Sequence, residues 1–408
     1  MTFRFFTIII FTMLPGQMPA AEFSLRIDAG QFERINTPVR FILPKAGYPH
    51  WKLVDVSGQT VAVQANERKE GTFIIPRLAA FETATYKLSP VSQPTHPAIA
   101  KVTEKKGKLR FTIEGHTVLH YQAEKSELPR ADLEPIYRRG GYLHPVLTPN
   151  GTVITDDYPH DHKHHHGIWF PWTNTIFEGR NPDFWNMGKG TGTVEFAGLL
   201  AQWNGPVHAG FLSTHRFVDL IAKPKKIALN ETWRLQVFAI KADNEDGNNQ
   251  KPYHLFELES VQRCAGPHKI KFPKYRYGGL GFRGHGEWNG KQNSFFLTSN
   301  GESNRIKGHA TRARWCHISG KTGGKLGGIG ILCHPSNFRF PQPMRIHPTE
   351  PFFNFAPSQT GDWEIKPNDD YVSRYRFVVT DGKPDTSLLD RLWNDYAQPP
   401  RVEIYTLD

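Results

Sequence analysis

The sequence predicts an all-β protein: a large β-sandwich of curved sheets with a small N-terminal β module and one C-terminal helix. Three observations lead there. The first is punctuation, because 36 glycines and 31 prolines in 408 residues supply the turns that many short strands need. The second is alternation. In the run from Thr232 to Ile240, Trp233, Leu235 and Val237 oppose Arg234, Gln236 and Phe238, the period of an antiparallel strand with at least one covered face. The third is that helical spacing convinces in one place. Leu388, Leu389, Leu392, Trp393 and Tyr396 share a face behind the N-cap candidates Asp385, Thr386 and Ser387, and Pro399-Pro400 stops the run.

Taken in order, the chain opens with Arg4, an apolar run from Phe5 to Leu14, Pro15-Gly16 and the small pair Ala20-Ala21. That is the order of a secretory signal. Residues 1–21 are expected to be removed, and the mature protein to be periplasmic or secreted. The apolar run is too short to span a bilayer comfortably, and no other segment is apolar enough, so no membrane insertion is expected after signal removal. Residues 22–95 read as a module of short strands, among them Phe23–Ile27, Val39–Leu43, Trp51–Val54 and Tyr86–Leu88, ending in a linker with Pro94 and Pro97. Residues 96–408 form the main domain. There are too many strands in it for one small sandwich, and the helix is expected to lie on a sheet or on the domain junction.

The net charge is +11, spread over the chain with clusters at Lys105, Lys106 and Lys108 and at Lys223, Lys225 and Lys226. An exported basic protein has little occasion to meet nucleic acid, whereas an anionic polysaccharide fits the charge. Each lysine cluster alone also reads as ordinary solvated surface. Cys264, Cys316 and Cys333 cannot all pair. A Cys316–Cys333 bridge and three buried thiols are both open readings.

The chemistry-bearing stretch is Tyr158 to Trp172. It packs His160, His162, His164, His165 and His166, five of the nineteen histidines, into seven residues. Histidine shuttles protons near neutral pH and is the commonest metal ligand. Crowded imidazoles repel when charged, so several should be neutral and available as bases or ligands. In an extended segment His160, His162 and His164 share a face, a candidate set for a divalent metal, zinc or calcium. The plain alternative is a solvated loop. His162, His165 and His166 can all point inward only if the backbone turns between them, which Pro159 and Gly167 permit.

Around this run lie the mixtures that sugar sites use, amides and acids for hydroxyl groups and an aromatic face for C–H bonds. They are Asn174, and Asp183, Trp185 and Asn186, with Trp169 and Trp172 as further stacking candidates. Glu257 and Glu259 share one strand face and could divide into general acid and general base. His334 and Asn337 stand at a strand end. Arg283, after three glycines, could clamp an anionic group. Two signals are discarded. Gly279 to Gly284 matches G-x-G-x-x-G, but a turn follows where a phosphate cradle needs a helix. Gly320-Lys321-Thr322 lacks the upstream glycine of a phosphate loop, and no G-x-S-x-G elbow occurs.

Together, Gly141-Tyr142-Leu143-His144-Pro145, Thr148 to Gly151, Asp157 to His160, His165 to Trp169, Gly278 to Arg283, Arg314-Trp315 and His334 to Asn337 resemble an exported bacterial family often labelled "methane oxygenase PmoA". The likeness covers most of the mature chain. It implies a β-supersandwich similar to galactose mutarotase and a setting among glycan-processing proteins. The methane label conflicts with physical chemistry, since a membrane monooxygenase subunit needs many spanning helices. This chain also departs from the family at Cys333, where members often carry an acid.

The expectation is therefore an exported carbohydrate-active enzyme, a glycoside hydrolase or lyase before an epimerase. His162, His165, His166, His334, Glu257 and Glu259 would be catalytic. His144, Trp169, Trp172, Asn174, Asp183, Trp185, Asn186, Arg283 and Asn337 would hold the substrate, with His334 converging on the histidine run. A non-catalytic glycan-binding protein and a periplasmic metal-binding protein are the rivals.

Overall fold

The computed structural model describes residues 21–45, 47–125, 127–240 and 251–407; the expected signal lies almost entirely outside them. The chain is an all-β, sandwich-like fold of antiparallel sheets with one substantial helix near its C-terminus.

The N-terminal module packs two sheets face to face. One has five strands in the order Arg401–Leu407, Glu22–Asp28, Thr83–Val91, His50–Asp55 and Thr60–Val61, and the other has Arg34–Ile42, Glu70–Leu78 and Val63–Ala65. Alternation buries Phe23, Leu25 and Ile27 against Phe73 and Ile75, while Arg26 points outward. Among the described residues the last strand borders the first, with Glu22 opposite Leu407 and Asp28 opposite Arg401.

Two eight-stranded sheets form the main sandwich. The first runs Met344–Ile346, Phe352–Phe355, Gly281–Arg283, Ile168–Trp169, Tyr142–Val146, His116–Gln122, Lys108–Ile113 and Ala100–Lys105. The second runs Gly192–Trp203, His208–Asp219, Lys226–Phe238, Tyr253–Cys264, Tyr371–Asp381, Lys325–Cys333, Trp315–Thr322 and Ser294–Thr298. Leu143, Ile168, Phe282 and Phe353 of the first meet Leu235, Leu258, Phe377 and Ile331 of the second in one core. A polar chain is sealed inside it: Tyr121 contacts His215 at 2.7 Å, and His215 contacts Glu231 at 2.9 Å. Ser260 and Gln262 also donate to Glu231 at 2.6 and 2.8 Å, which leaves that buried carboxylate fully engaged.

The helix Thr386–Ala397 is capped by Asp385, whose carboxylate accepts from the Leu388 N–H at 3.0 Å. Leu388, Leu389, Leu392 and Trp393 pack on Trp315, Leu332 and Val378, the outer face of the second sheet. Its other side ties down the N-terminal module, because buried Asp395 holds Arg34 at 2.9 Å and Thr37 at 2.8 Å. The three cysteines are free, Cys316 and Cys333 buried; burial pushes the Cys333 thiol up to about 12. Among the described residues no helix is long and apolar enough to cross a membrane.

Candidate functional site

Strand alternation in the first eight-stranded sheet separates two populations of aromatic residues. Those facing inward join the main core. Those facing outward, Tyr142, Trp169 and Phe352, form a separate buried cluster with Trp185, edged by Tyr277. Gly281 makes this possible: a Cβ there would stand 3.1 Å from the Trp169 ring and 3.2 Å from Trp185.

The histidine run folds over this aromatic floor as a closed loop. The His162 N–H bonds the Pro159 carbonyl, the His165 N–H bonds His162, and the Tyr158 N–H bonds His165. The backbone therefore turns, as convergence of the histidines requires. His165 stacks on His162 with centroids 4.6 Å apart and on Phe352 at 4.9 Å, and the edge of His164 meets it at 4.7 Å. His347 approaches His162 from another segment at 6.0 Å. Burial holds His165 far below the usual imidazole range, with its charged neighbours adding to the effect, and holds both His164 and His347 at about 4. These three rings are neutral at neutral pH.

His166 turns the other way. It stacks on Tyr142 at 4.3 Å, and its Nδ1 lies 2.6 Å from Asp157, which also accepts from the Tyr142 hydroxyl at 2.9 Å. Burial lifts Asp157 to about 6 and depresses His166 strongly. Above pH 6 a carboxylate can only accept, so Nδ1 carries the proton and Nε2 is bare. That Nε2 is buried and has no partner.

Arg283 joins the loop to the sheet. Its guanidinium is fully buried, and Nη2 alone serves Asp161 at 3.2 Å, Asn289 at 2.7 Å and Glu350 at 3.4 Å. Nε and Nη1 have no acceptor. The two carboxyls that share Nη2 diverge. Burial and the adjacent Asp161 raise Glu350, whereas for Asp161 burial is outweighed by Arg283, by Glu350 and by His162, 3.0 Å away, so its carboxyl stays low. Two adjacent carboxyls are thus pushed in opposite directions, Glu350 up and Asp161 down, with an imidazole in contact.

Residues 108–394 match a family of unknown function, DUF6807. The chain belongs to DUF6807. No curated protein matches its sequence. The DUF6807 region holds the whole histidine loop, Arg283, His347 and Glu350, while the strands of the N-terminal module lie on either side of it in the chain.

Within this DUF6807 fold the residues expected to form one site are divided. His162, His165, Trp169, Trp185 and Arg283 come together. His144 lies on the same sheet, half-buried, with Nδ1 3.0 Å from the Thr155 hydroxyl. Asp183 spends its oxygens on the backbone of Trp185 and Asn186, the Asn186 side chain and Lys189, so Asp183 and Asn186 brace the loop that carries Trp185. Asn174 is half-buried in a left-handed turn, φ 51°. Trp172, Trp169 and Trp185 are corrections as stacking residues: all three are buried, Trp172 in the main core, where it donates to Gln262 at 2.7 Å, and Trp169 and Trp185 in the outer aromatic cluster.

His334 does not converge on the loop. It sits with Ser336 at 2.7 Å and against Tyr396, in a cleft with Glu257 and Glu259 on the outer face of the other sheet. Asn337 brackets the Arg374 backbone, accepting from its N–H and donating to its carbonyl, both at 2.8 Å, and so fixes the His334 turn. His160 is 81% exposed, and among the described residues no group of three or more His, Cys, Asp or Glu is arranged to hold a metal, so His160, His162 and His164 form no such set. Sequence reasoning missed Asp161, His347, Glu350 and Asn289 as partners. Asp161 was legible inside the run itself, but Glu350 and His347 reach it only through strand pairing of Gly281–Arg283 with Phe352–Phe355.

Proposed function

We propose that this protein is an exported carbohydrate-active enzyme, a hydrolase or lyase of sugars or glycans, working by general acid–base chemistry at the histidine loop. The observation that carries the reading is the carboxyl pair held by one buried arginine, with Glu350 raised and Asp161 lowered. Glu350 would deliver a proton, and Asp161 with His162 would receive one. The unsatisfied Nε and Nη1 of Arg283 would take a substrate oxygen, since a buried donor without an acceptor is costly. The finer kinship, with the PmoA-labelled family and a galactose mutarotase-like supersandwich, belongs to the same proposal and fits a sugar substrate.

The test is a glycan panel read for new reducing ends and, separately, for the ultraviolet absorbance of an unsaturated elimination product. Glu350→Gln should lower turnover about 10²–10⁴-fold, the range of general acid–base catalysis. Glycans that bind without turnover would favour a binding protein instead. Full activity in Glu350→Gln would remove the acid assigned here.

A further inference from the structure

The outer face of the second eight-stranded sheet carries charges in two rows set by strand register. Arg234 lies opposite Glu259, which lies opposite Arg374; one step along, Gln236, Glu257 and Arg376 repeat the pattern. The intervening Leu235, Leu258 and Tyr375 point into the core, so these rows face outward. The N-terminal module lays two more arginines over them. Arg40 donates to Glu257 and, at 3.2 Å, to Gln236, and Arg68 reaches Glu259 at 3.3 Å. Between module, sheet and helix lies a cleft of ≈ 380 Å³, with Tyr396 and Pro399 on its wall. That is the size range of small-molecule sites.

The carboxylates of this cleft are already satisfied. Glu257 accepts from Arg376 as well as Arg40, and Glu259 accepts from Arg374 at 2.8 Å as well as Arg68. Asp395 is held by Arg34. One guanidinium is not. Arg234 gives Nη1 to Glu67, yet its Nη2 is buried, in a side chain 6% exposed, with no acceptor. The guanidinium lies over the Trp203 ring at 4.8 Å, but that stack gives Nη2 no acceptor, and an unpaired buried donor is costly.

We infer that the junction cleft is a second ligand site, which takes a small molecule of about one sugar ring bearing a single oxyanion, with Arg234 as its anchor and Arg68 and Arg374 at the mouth. A carboxylate and a sulfate ester share that chemistry. The site uses no residue of the histidine loop, so it stands whether or not that loop is catalytic.

Calorimetric titration of the full chain with D-glucuronate, D-glucose 6-sulfate and D-glucose tests it. At least one charged sugar should bind and glucose should not, with affinity falling as salt rises. Which charged sugar binds more tightly assigns the oxyanion. Arg234→Met should weaken binding tenfold or more, and the half-exposed Arg68→Gln severalfold, while Glu350→Gln leaves it unchanged. Should Arg234→Met fail to fold, the Arg68→Gln comparison decides. Equal binding of glucose, no binding of either anion, or loss in Glu350→Gln with retention in the arginine variants would overturn the inference.

Discussion

His317 is enclosed on strand Trp315–Thr322 with neither ring nitrogen partnered, and burial depresses it to about 4. A neutral imidazole inside and a protonatable one in the unfolded chain make stability depend on pH in one direction. The contribution is whole above the unfolded value of about 6.5 and is lost as pH falls from there through about 4, because only the unfolded chain takes up the proton. Between pH 7 and pH 5 this one residue should cost roughly 2 kcal/mol of stability. Urea denaturation at the two pH values checks it: in His317→Leu the difference should shrink by about that amount, and an unchanged difference would mean that His317 is solvated. The Asp157–His166 pair follows a different logic, since hydrogen bonding there fixes a tautomer. The sequence shows both residues but cannot show their contact, nine positions apart around a closed loop.

The C-terminal helix separates two kinds of contribution within one element. Asp385 caps it at the surface, and Asp385→Ala should lower stability by about 1 kcal/mol. Asp395 is buried against Arg34, and removing it strands a charge in the junction, so Asp395→Ala should lower stability by about 3–5 kcal/mol. Thermal melts of the two variants give the ratio; equal effects would show that the buried pair is solvated. The helix itself was legible from its spacing and its proline stop. Its partner Arg34 was not, because nothing local in either segment specifies a contact about 360 residues apart. Glu257 and Glu259 teach the same lesson. Alternation placed both acids on one strand face, and the structure agrees, but it is the docked module that supplies Arg40 and Arg68 and turns that face into a junction. Periodicity reports which side a residue takes and is silent on what covers that side.

At the scale of the whole molecule, layers and turns were readable because strand alternation, glycine and proline punctuation and the N-cap all agree. The partition of the site was not, since the loop with His162 and the turn with His334 are carried by different sheets and only topology decides which histidines meet. The strand Arg401–Leu407 covers the edge of Glu22–Asp28, with Val402 and Ile404 packed on the module core. Deleting residues 401–407 should expose that edge, lower the module's stability by about 2 kcal/mol and leave the main sandwich intact. Limited proteolysis with mass spectrometry checks this, with first cuts expected between residues 22 and 91; first cuts in the sandwich would show that the two parts unfold together.

That pairing also sets a clock for synthesis. A ribosome releases Glu22–Asp28 long before Arg401–Leu407 exists, so the nascent module must wait with one flank unpaired while more than 300 further residues emerge. Its sheet is completed only after the whole main sandwich has been made, so Glu22–Asp28, which precedes the sandwich in the chain, is finished after it.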